Sequence, residues 1–143
     1  MLNLILFMML GLGQLSGPGG ALPQIVHPEF KNTVPAPPGK KGEVTVSFAV
    51  LKGFAINRNP PMSLKLTSVP GVSLAKSQFS TPTKDPKSKD EYYVDMPTIK
   101  VGMTAAKAGN YEVPGKLTYF FCNKADGFCS RQVLDVRIPV EVR

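Results

Sequence analysis

The chain has few of the residues that build most catalytic and metal sites: 143 residues include two cysteines, one histidine and no tryptophan. A structural zinc ion needs a full tetrahedral set of ligands, and His27 lies in a proline-rich segment far from both thiols. The same histidine is badly placed to activate a cysteine nucleophile, so a cysteine hydrolase is not predicted. Met62, Met96 and Met103 follow an apolar strand pattern, which favours core positions over a copper site. We therefore predict neither a metal nor an organic cofactor.

Long basic runs are also missing, although the net charge is +7. The 17 lysines and arginines are spread from Lys31 to Arg143, and the longest run is Lys40–Lys41. Proteins that bind nucleic acid usually gather positive charge on one element beside aromatic side chains that stack on bases. Nucleic acid is therefore not a predicted partner, whereas the basic surface still permits an acidic one.

The N-terminal segment is apolar, with "MLNLILFMMLGLGQL" over residues 1–15 followed by "SGPGGA". This length is typical of the apolar region of a signal peptide and is too short to span a bilayer comfortably. No basic residue precedes the run, and a cleavage near Ala21 fits best. We expect residues 1–21 to be a signal peptide or apolar N-terminal segment, whether removed or retained, and the protein to be periplasmic or otherwise exported.

Residues 22–42 contain five prolines and are predicted to be an extended lead-in. Residues 43–143 then alternate between apolar and polar positions in several stretches, with glycine and proline turns between them and no helical periodicity. Six or seven short strands of this kind predict an all-β, immunoglobulin-like antiparallel β-sandwich. The stretches are "EVTVSFAV", "MSLKLT", "VSLAK", "EYYVDMPTIKVGM", "GKLTYFFC" and "VLDVRIPVEV".

Cys122 and Cys129 lie at the facing ends of consecutive predicted strands. In an exported protein such a pair is most simply a disulfide. As a structural bridge it would close a short loop and stabilise the fold by only about 2–3 kcal/mol. As a redox pair it would sit at a hairpin end that a partner thiol can reach, with Lys124 and Arg131 favouring the thiolate and Asp126 opposing them. Spacing and composition leave both interpretations open.

The segment "GKLTYFFCNKADGFC" (115–129), followed by an alternating strand, resembles the N-terminal periplasmic domain of the DsbD family of thiol:disulfide interchange proteins. Residues 41–67 are similar to the early hairpin of that family and residues 91–101 to a later strand, so the resemblance covers residues 41–143. It implies a sandwich whose cysteine pair takes reducing equivalents from a thioredoxin-like protein or domain and passes them to oxidised exported proteins. A membrane electron-transfer protein would be the further source of these electrons.

The resemblance also implies roles for individual residues. Cys129 would attack, or be attacked, in the mixed disulfide, and Cys122 would resolve it. The expected surroundings of the active site are Phe54, Asn57, Phe121, Asp126 and Phe128.

In that family a cap loop covers the disulfide until a partner docks, which here implies a cap within residues 79–91. Two placements stay open, because strand register favours residues 84–89 whereas the letters "DEYY" match at residues 90–93. The chain would then be an electron-carrier domain, a candidate protein-disulfide reductase. The alternative is a non-catalytic immunoglobulin-like interaction domain with a structural disulfide. The candidate cap residues are Asp85, Asp90, Glu91 and Tyr92.

Overall fold

The computed structural model describes residues 22–143, so the predicted signal segment at residues 1–21 lies outside the described residues. Within the described part, no helix is long and apolar enough to cross a membrane. Residues 22–143 form nine strands. They are β1 (Val26–Val34), β2 (Lys41–Val50), β3 (Phe54–Ile56), β4 (Ser63–Leu66), β5 (Val72–Leu74), β6 (Gln78–Ser80), β7 (Ile99–Ala105), β8 (Gly109–Asn123) and β9 (Cys129–Val142).

These strands form two antiparallel sheets that pack face to face. The first has the order β1-β2-β7-β5. In the second, the long strand β8 is central: β9 pairs along one edge, while β3 and β4 share the other edge. Strand β6 pairs with the outer edge of β4. The prediction of an all-β antiparallel sandwich with immunoglobulin-like architecture is confirmed.

The core lies between the sheets and follows the alternation in the sequence. Every second residue of a half-buried strand faces one side, so regular valine, leucine and isoleucine positions fill one face. Full burial of each such side chain stabilises the fold by about 1.5–3 kcal/mol. Met62 and Met103 are buried in this core and Met96 packs against it, as predicted. The core members contributed by β2, β8 and β9 are Val44, Val46, Phe48, Val113, Leu117, Tyr119, Phe121, Val136, Ile138, Val140 and Val142.

The first strand is a difference from the expected domain layout, because β1 lies inside the predicted lead-in and joins the first sheet. Pro28 makes this strand hard to recognise in the sequence, because proline has no N–H to donate to a ladder. Leu51 donates its backbone N–H to the carbonyl of Ile25 (2.8 Å). The alternation that follows turns the nitrogen of Pro28 away from β2, at an edge position where proline is tolerated. The folded part of the described chain therefore includes β1 as well as residues 43–143.

The start of β1 is anchored beside the disulfide hairpin. Val26 donates its backbone N–H to the hydroxyl oxygen of Tyr119 (3.1 Å), and Ile25 donates to Oε1 of Gln132 (3.0 Å). The Gln132 amide in turn donates to the carbonyl of Pro23 (3.1 Å). Tyr119 is fully buried, and this desolvation raises the pKa of its hydroxyl. The chain therefore enters the sandwich at the end that carries the cysteines.

Candidate functional site: the disulfide at the β8–β9 hairpin

Cys122 and Cys129 are bonded (S–S 1.99 Å) and are direct partners in the β8–β9 register. Asn123 donates its backbone N–H to the carbonyl of Phe128 (2.7 Å), which makes that neighbouring pair a hydrogen-bonded one. The cysteines therefore occupy a non-hydrogen-bonded pair, where antiparallel strands approach most closely, to about 4.5 Å between Cα atoms. Here the Cα–Cα distance is 4.0 Å. The ladder alone brings the two sulfurs within bonding reach.

The turn between the cysteines has its own hydrogen bonds. Gly127 donates its N–H to the carbonyl of Asn123 (2.9 Å), and it has a positive φ of 75° that glycine adopts without strain. The Asn123 side chain accepts from the N–H of Ala125, and the Asp126 carboxylate accepts from the N–H of Phe128, both at 2.9 Å. Asp126, a predicted site residue, thus shapes the turn. The turn thus has hydrogen bonds of its own in addition to the disulfide.

The two sulfur-bearing residues differ sharply in exposure. Cys122 is 4% exposed, whereas Cys129 lies in the exposed class. Ala55 of β3 is the register partner of Cys122 on its other side, and Oδ1 of Asn57 lies 3.7 Å from the Cys122 sulfur. The Cys129 sulfur has the carbonyl oxygen of Gly127 at 3.5 Å. An incoming thiolate therefore has access to Cys129 but not to Cys122.

The predicted aromatic surroundings divide into two groups. Phe121 is fully buried and packs edge-on against the half-buried Phe54, with 5.8 Å between ring centroids. Both belong to the core behind the hairpin. Phe128 is 51% exposed and immediately precedes Cys129. It presents an apolar side chain next to the exposed Cys129.

The candidate cap segment runs along the free edge of β3. Tyr92 pairs with Asn57 in an antiparallel bridge, and Arg58 donates its N–H to the carbonyl of Glu91 (2.8 Å). Because Asn57 also contacts the sulfur of Cys122, the "DEYY" segment is one residue removed from the disulfide. Of the two predicted placements, residues 90–93 are the ones with backbone contacts to this strand and the residues that follow it.

Asp85 and Asp90 organise this loop from within. The Asp85 carboxylate accepts backbone hydrogen bonds from Val94 (2.8 Å) and Lys87 (3.0 Å), and the bond from Val94 is the main cause of its lowered pKa. The Asp90 carboxylate accepts from the N–H of Tyr92 (3.0 Å), which lowers the pKa of Asp90 in the same way. Both predicted cap residues therefore act as structural acceptors in the loop.

Arg58 was not a predicted site residue, yet its guanidinium holds the two ends of the loop together. It donates to the carbonyl of Thr83 (2.7 Å) and to the carbonyl of Asp90. Five donors in a rigid fork suit arginine to this double contact. No local sequence signal marks Arg58, because both of its acceptors are backbone oxygens of a distant segment.

A groove of about 710 Å³ lies between this loop and the end of the sandwich. Apolar, aromatic and charged side chains line it, but neither cysteine does. The exposed Cys129 therefore lies on the hairpin and outside the groove. Its apolar and charged lining residues include Phe48, Val50, Phe54, Ile56, Met96, Asp90, Asp95 and Lys124.

A solved structure is similar to this chain at a low score, and no match was found by sequence. No family model matches the chain. No curated protein matches it either. Among solved structures, a cohesin module from a family 33 glycoside hydrolase of Clostridium perfringens is similar, with a TM-score of 0.37 and 10% sequence identity. That match covers 83% of this chain and 98% of the cohesin chain.

Proposed function

We propose that this protein is a thiol–disulfide interchange module that passes reducing equivalents through the Cys122–Cys129 pair to oxidised exported proteins. One observation carries the proposal: the bond lies at the end of a hairpin and exposes one sulfur-bearing residue while burying the other. A staple gains most by joining distant strands, since the loop it restricts is longer. This bond joins residues that the β8–β9 ladder already pairs, so it adds little to the stability of the fold. Its position at the hairpin end is suitable for thiol–disulfide exchange.

The exchange proceeds by two attacks of thiolate on disulfide. In loading, a donor thiolate attacks the sulfur of Cys129, the bond to Cys122 breaks, and Cys122 leaves as a thiolate that takes up a proton. The second thiolate of the donor then attacks the donor sulfur of the mixed disulfide and releases Cys129. Two electrons have moved to the pair, and the donor has become a disulfide. Unloading onto an oxidised protein runs the same steps in reverse, with Cys129 as the attacking thiolate.

Cys122 is buried and Cys129 is exposed, which in this proposal gives the two cysteines different roles. The Asn57 side chain lies beside the buried sulfur, with its Oδ1 3.7 Å from Cys122, and can accept a hydrogen bond from the thiol that reduction creates. Cys129 is exposed, and among its neighbours in sequence Lys124 and Arg131 favour a thiolate while Asp126 opposes one, so its exposure is the stronger argument. This supports Cys129 as the nucleophile and Cys122 as the resolving residue.

The chemistry indicates the partners. A donor and an acceptor must each present an accessible thiol or disulfide, which thioredoxin-like proteins or domains do, with a membrane electron-transfer protein as a further source. The oxidised proteins that such a module reduces occur where disulfides form and persist. In this proposal the protein is therefore located in the periplasm or another exported location. In this proposal residues 90–93 of the candidate segment form the cap, and the module acts as a protein-disulfide reductase component.

Single-cysteine variants test the proposal. Cys122→Ser leaves the accessible Cys129. Its thiolate should attack a thioredoxin-type protein whose resolving cysteine is replaced and whose remaining cysteine carries an activated mixed disulfide, so that the small activating thiol leaves and the two proteins stay bonded. Cys129→Ser leaves only the buried sulfur and should react at least about tenfold more slowly, a difference of about 1.4 kcal/mol in the barrier. The trapped species is read by non-reducing electrophoresis and mass spectrometry. If neither variant is captured while circular dichroism shows the native fold, the interchange function is refuted and the bond is structural.

A further inference from the structure

The outer edge of β9 has a row of backbone groups with no partner in residues 22–143. The hydrogen-bonded pair Asn123–Phe128 sets the alternation of the β8–β9 ladder. The backbone N–H and C=O groups of the even-numbered residues of β9 therefore point towards β8. The N–H and C=O groups of the odd-numbered residues therefore point away from β8. None of the backbone hydrogen bonds outside the ladders involves these positions between residues 129 and 137. The edge residues are Cys129, Arg131, Val133, Asp135 and Arg137.

This edge is closed at its far end and open beside the disulfide. Pro139 lies on the same outward parity and offers no N–H, and beyond it Glu141 donates its N–H to the side chain of Asn32 (3.4 Å). Natural sheets protect exposed edges with prolines in this way. Between Cys129 and Arg137 no proline interrupts the row. The unprotected stretch is thus the one that begins at the accessible sulfur.

We propose that this edge binds an extended, cysteine-containing segment of the redox partner as an added β-strand, with the partner sulfur placed opposite Cys129. The inference rests on the proposed interchange function. Residues that pair through outward groups have Cα atoms about 5.5 Å apart, which falls within the range of about 4.4–6.8 Å that a disulfide spans. Edge addition therefore places a partner cysteine at bonding distance without movement of the backbone.

The same geometry aligns the reacting atoms. Directly opposite residues in a sheet point to the same face, so Cys122, Cys129 and the partner cysteine would project from three adjacent strands on one side. Their sulfurs then form a row across the strands. Attack on a disulfide sulfur proceeds in line with the bond that breaks, so the partner thiolate forms its bond to Cys129 as Cys122 leaves. The backbone ladder holds this row without any specific side-chain pocket.

Charge on the outer face defines the chemistry of the segment. Asp135 is paired with Lys116 (2.8 Å) and Arg137 with Glu112 (3.5 Å). Arg131 has no salt-bridge partner within residues 22–143, and it lies two residues from Cys129 on the same face. Val133 follows and is 43% exposed. The segment that fits has an acidic residue two positions from its cysteine and a β-branched residue two positions further.

A synthetic peptide of about ten residues tests the edge, with one cysteine, one glutamate and one valine in that spacing and threonine elsewhere. The peptide thiol is incubated with the Cys122→Ala protein, whose Cys129 carries an activated mixed disulfide. The peptide should displace the activating thiol and form a disulfide with Cys129. In the bonded complex, amide hydrogen exchange by NMR should slow at the outward N–H groups of Arg131, Val133 and Asp135. The inward N–H groups, already in the ladder, should be unchanged. Unchanged exchange at all the outward groups would overturn the proposal.

Val133→Pro removes one outward N–H about 13 Å along the strand from Cys129, at a parity where Pro139 is already accommodated. It should slow the reaction of the oxidised wild-type cysteine pair with the peptide by about tenfold, and the control Val133→Thr should change it by less than about twofold. Reaction with dithiothreitol should be the same in all three proteins. Equal peptide rates in folded Val133→Pro and Val133→Thr would refute edge docking. A pair inert to dithiothreitol would refute the interchange function itself, and concentration-dependent protection without peptide would assign the edge to a second copy of this chain.

Discussion

Reduction of the Cys122–Cys129 bond should lower the free energy of unfolding only slightly. The cysteines are seven positions apart, and the chain-entropy relation gives about 2.5 kcal/mol for releasing so short a loop. This is an upper value, since the turn between Asn123 and Phe128 keeps its own hydrogen bonds and will persist in part in the unfolded chain. We expect a loss of about 1–2.5 kcal/mol. A domain of ordinary stability, about 5–15 kcal/mol, stays folded after such a loss.

Urea unfolding of the oxidised protein and of the protein held in dithiothreitol measures this difference. Circular dichroism follows the transition, and the slope against urea should be the same in both states, because the same surface is exposed. A Cys122→Ala, Cys129→Ala double variant is the control, as it lacks the bond under either condition. Its stability should not respond to dithiothreitol. Any response there would show an effect of the reductant other than on this disulfide.

A large loss of stability on reduction would contradict this estimate. If reduction unfolds the sandwich at 25 °C, or costs more than about 4 kcal/mol, the bond contributes more than loop closure explains. The disulfide would then be a structural element, because a carrier must remain folded in both redox states. That result would refute the interchange function as well as the estimate.

Two further variants test the elements that surround the site. Tyr119→Phe should destabilise the protein by about 1–3 kcal/mol, because the buried N–H of Val26 loses its acceptor. Since the native pKa of Tyr119 is raised, its contribution is complete below about pH 10 and is lost as the pH rises further, so the variant should lose less stability than the parent at alkaline pH. Arg58→Gln should release the two loop ends, with faster amide exchange at Tyr92 and Val94 and little change in the free energy of global unfolding. Unchanged exchange at these two amides would show that Arg58 does not hold the loop.

Alternation predicted the long strands because β2, β8 and β9 each bury one face over many residues. It did not predict β3 or β6, which have three residues each, whereas the equally short β5 lies in the predicted stretch "VSLAK". It also missed β1, whose apolar positions are interrupted by proline and charged residues. That strand is an edge strand, where packing against β2 matters more than intrinsic propensity.

The site shows the same division between local and distant contacts. The pairing of Cys122 with Cys129 follows from a short hairpin loop, so the sequence predicted it. The placement of Tyr92 depends on which segment covers the outer edge of β3, and that is decided by tertiary packing. The Tyr119 contact to Val26 joins residues 93 positions apart, so no window along the chain contains it.

In the proposed thiol–disulfide interchange, the paired hairpin would align the sulfurs and the open edge of β9 would bind the partner. Because the β8–β9 register pairs Cys122 with Cys129, the proposed exchange would need little backbone movement. In β9 the even-numbered side chains face the core and the odd-numbered side chains, including that of Cys129, face outward. The backbone N–H groups of the same odd-numbered residues point to the free edge, where the proposed partner strand would pair. A single strand can thus supply the nucleophile, its alignment and the docking edge. Breaking the edge while sparing the sulfurs, as Val133→Pro does, separates alignment from reactivity.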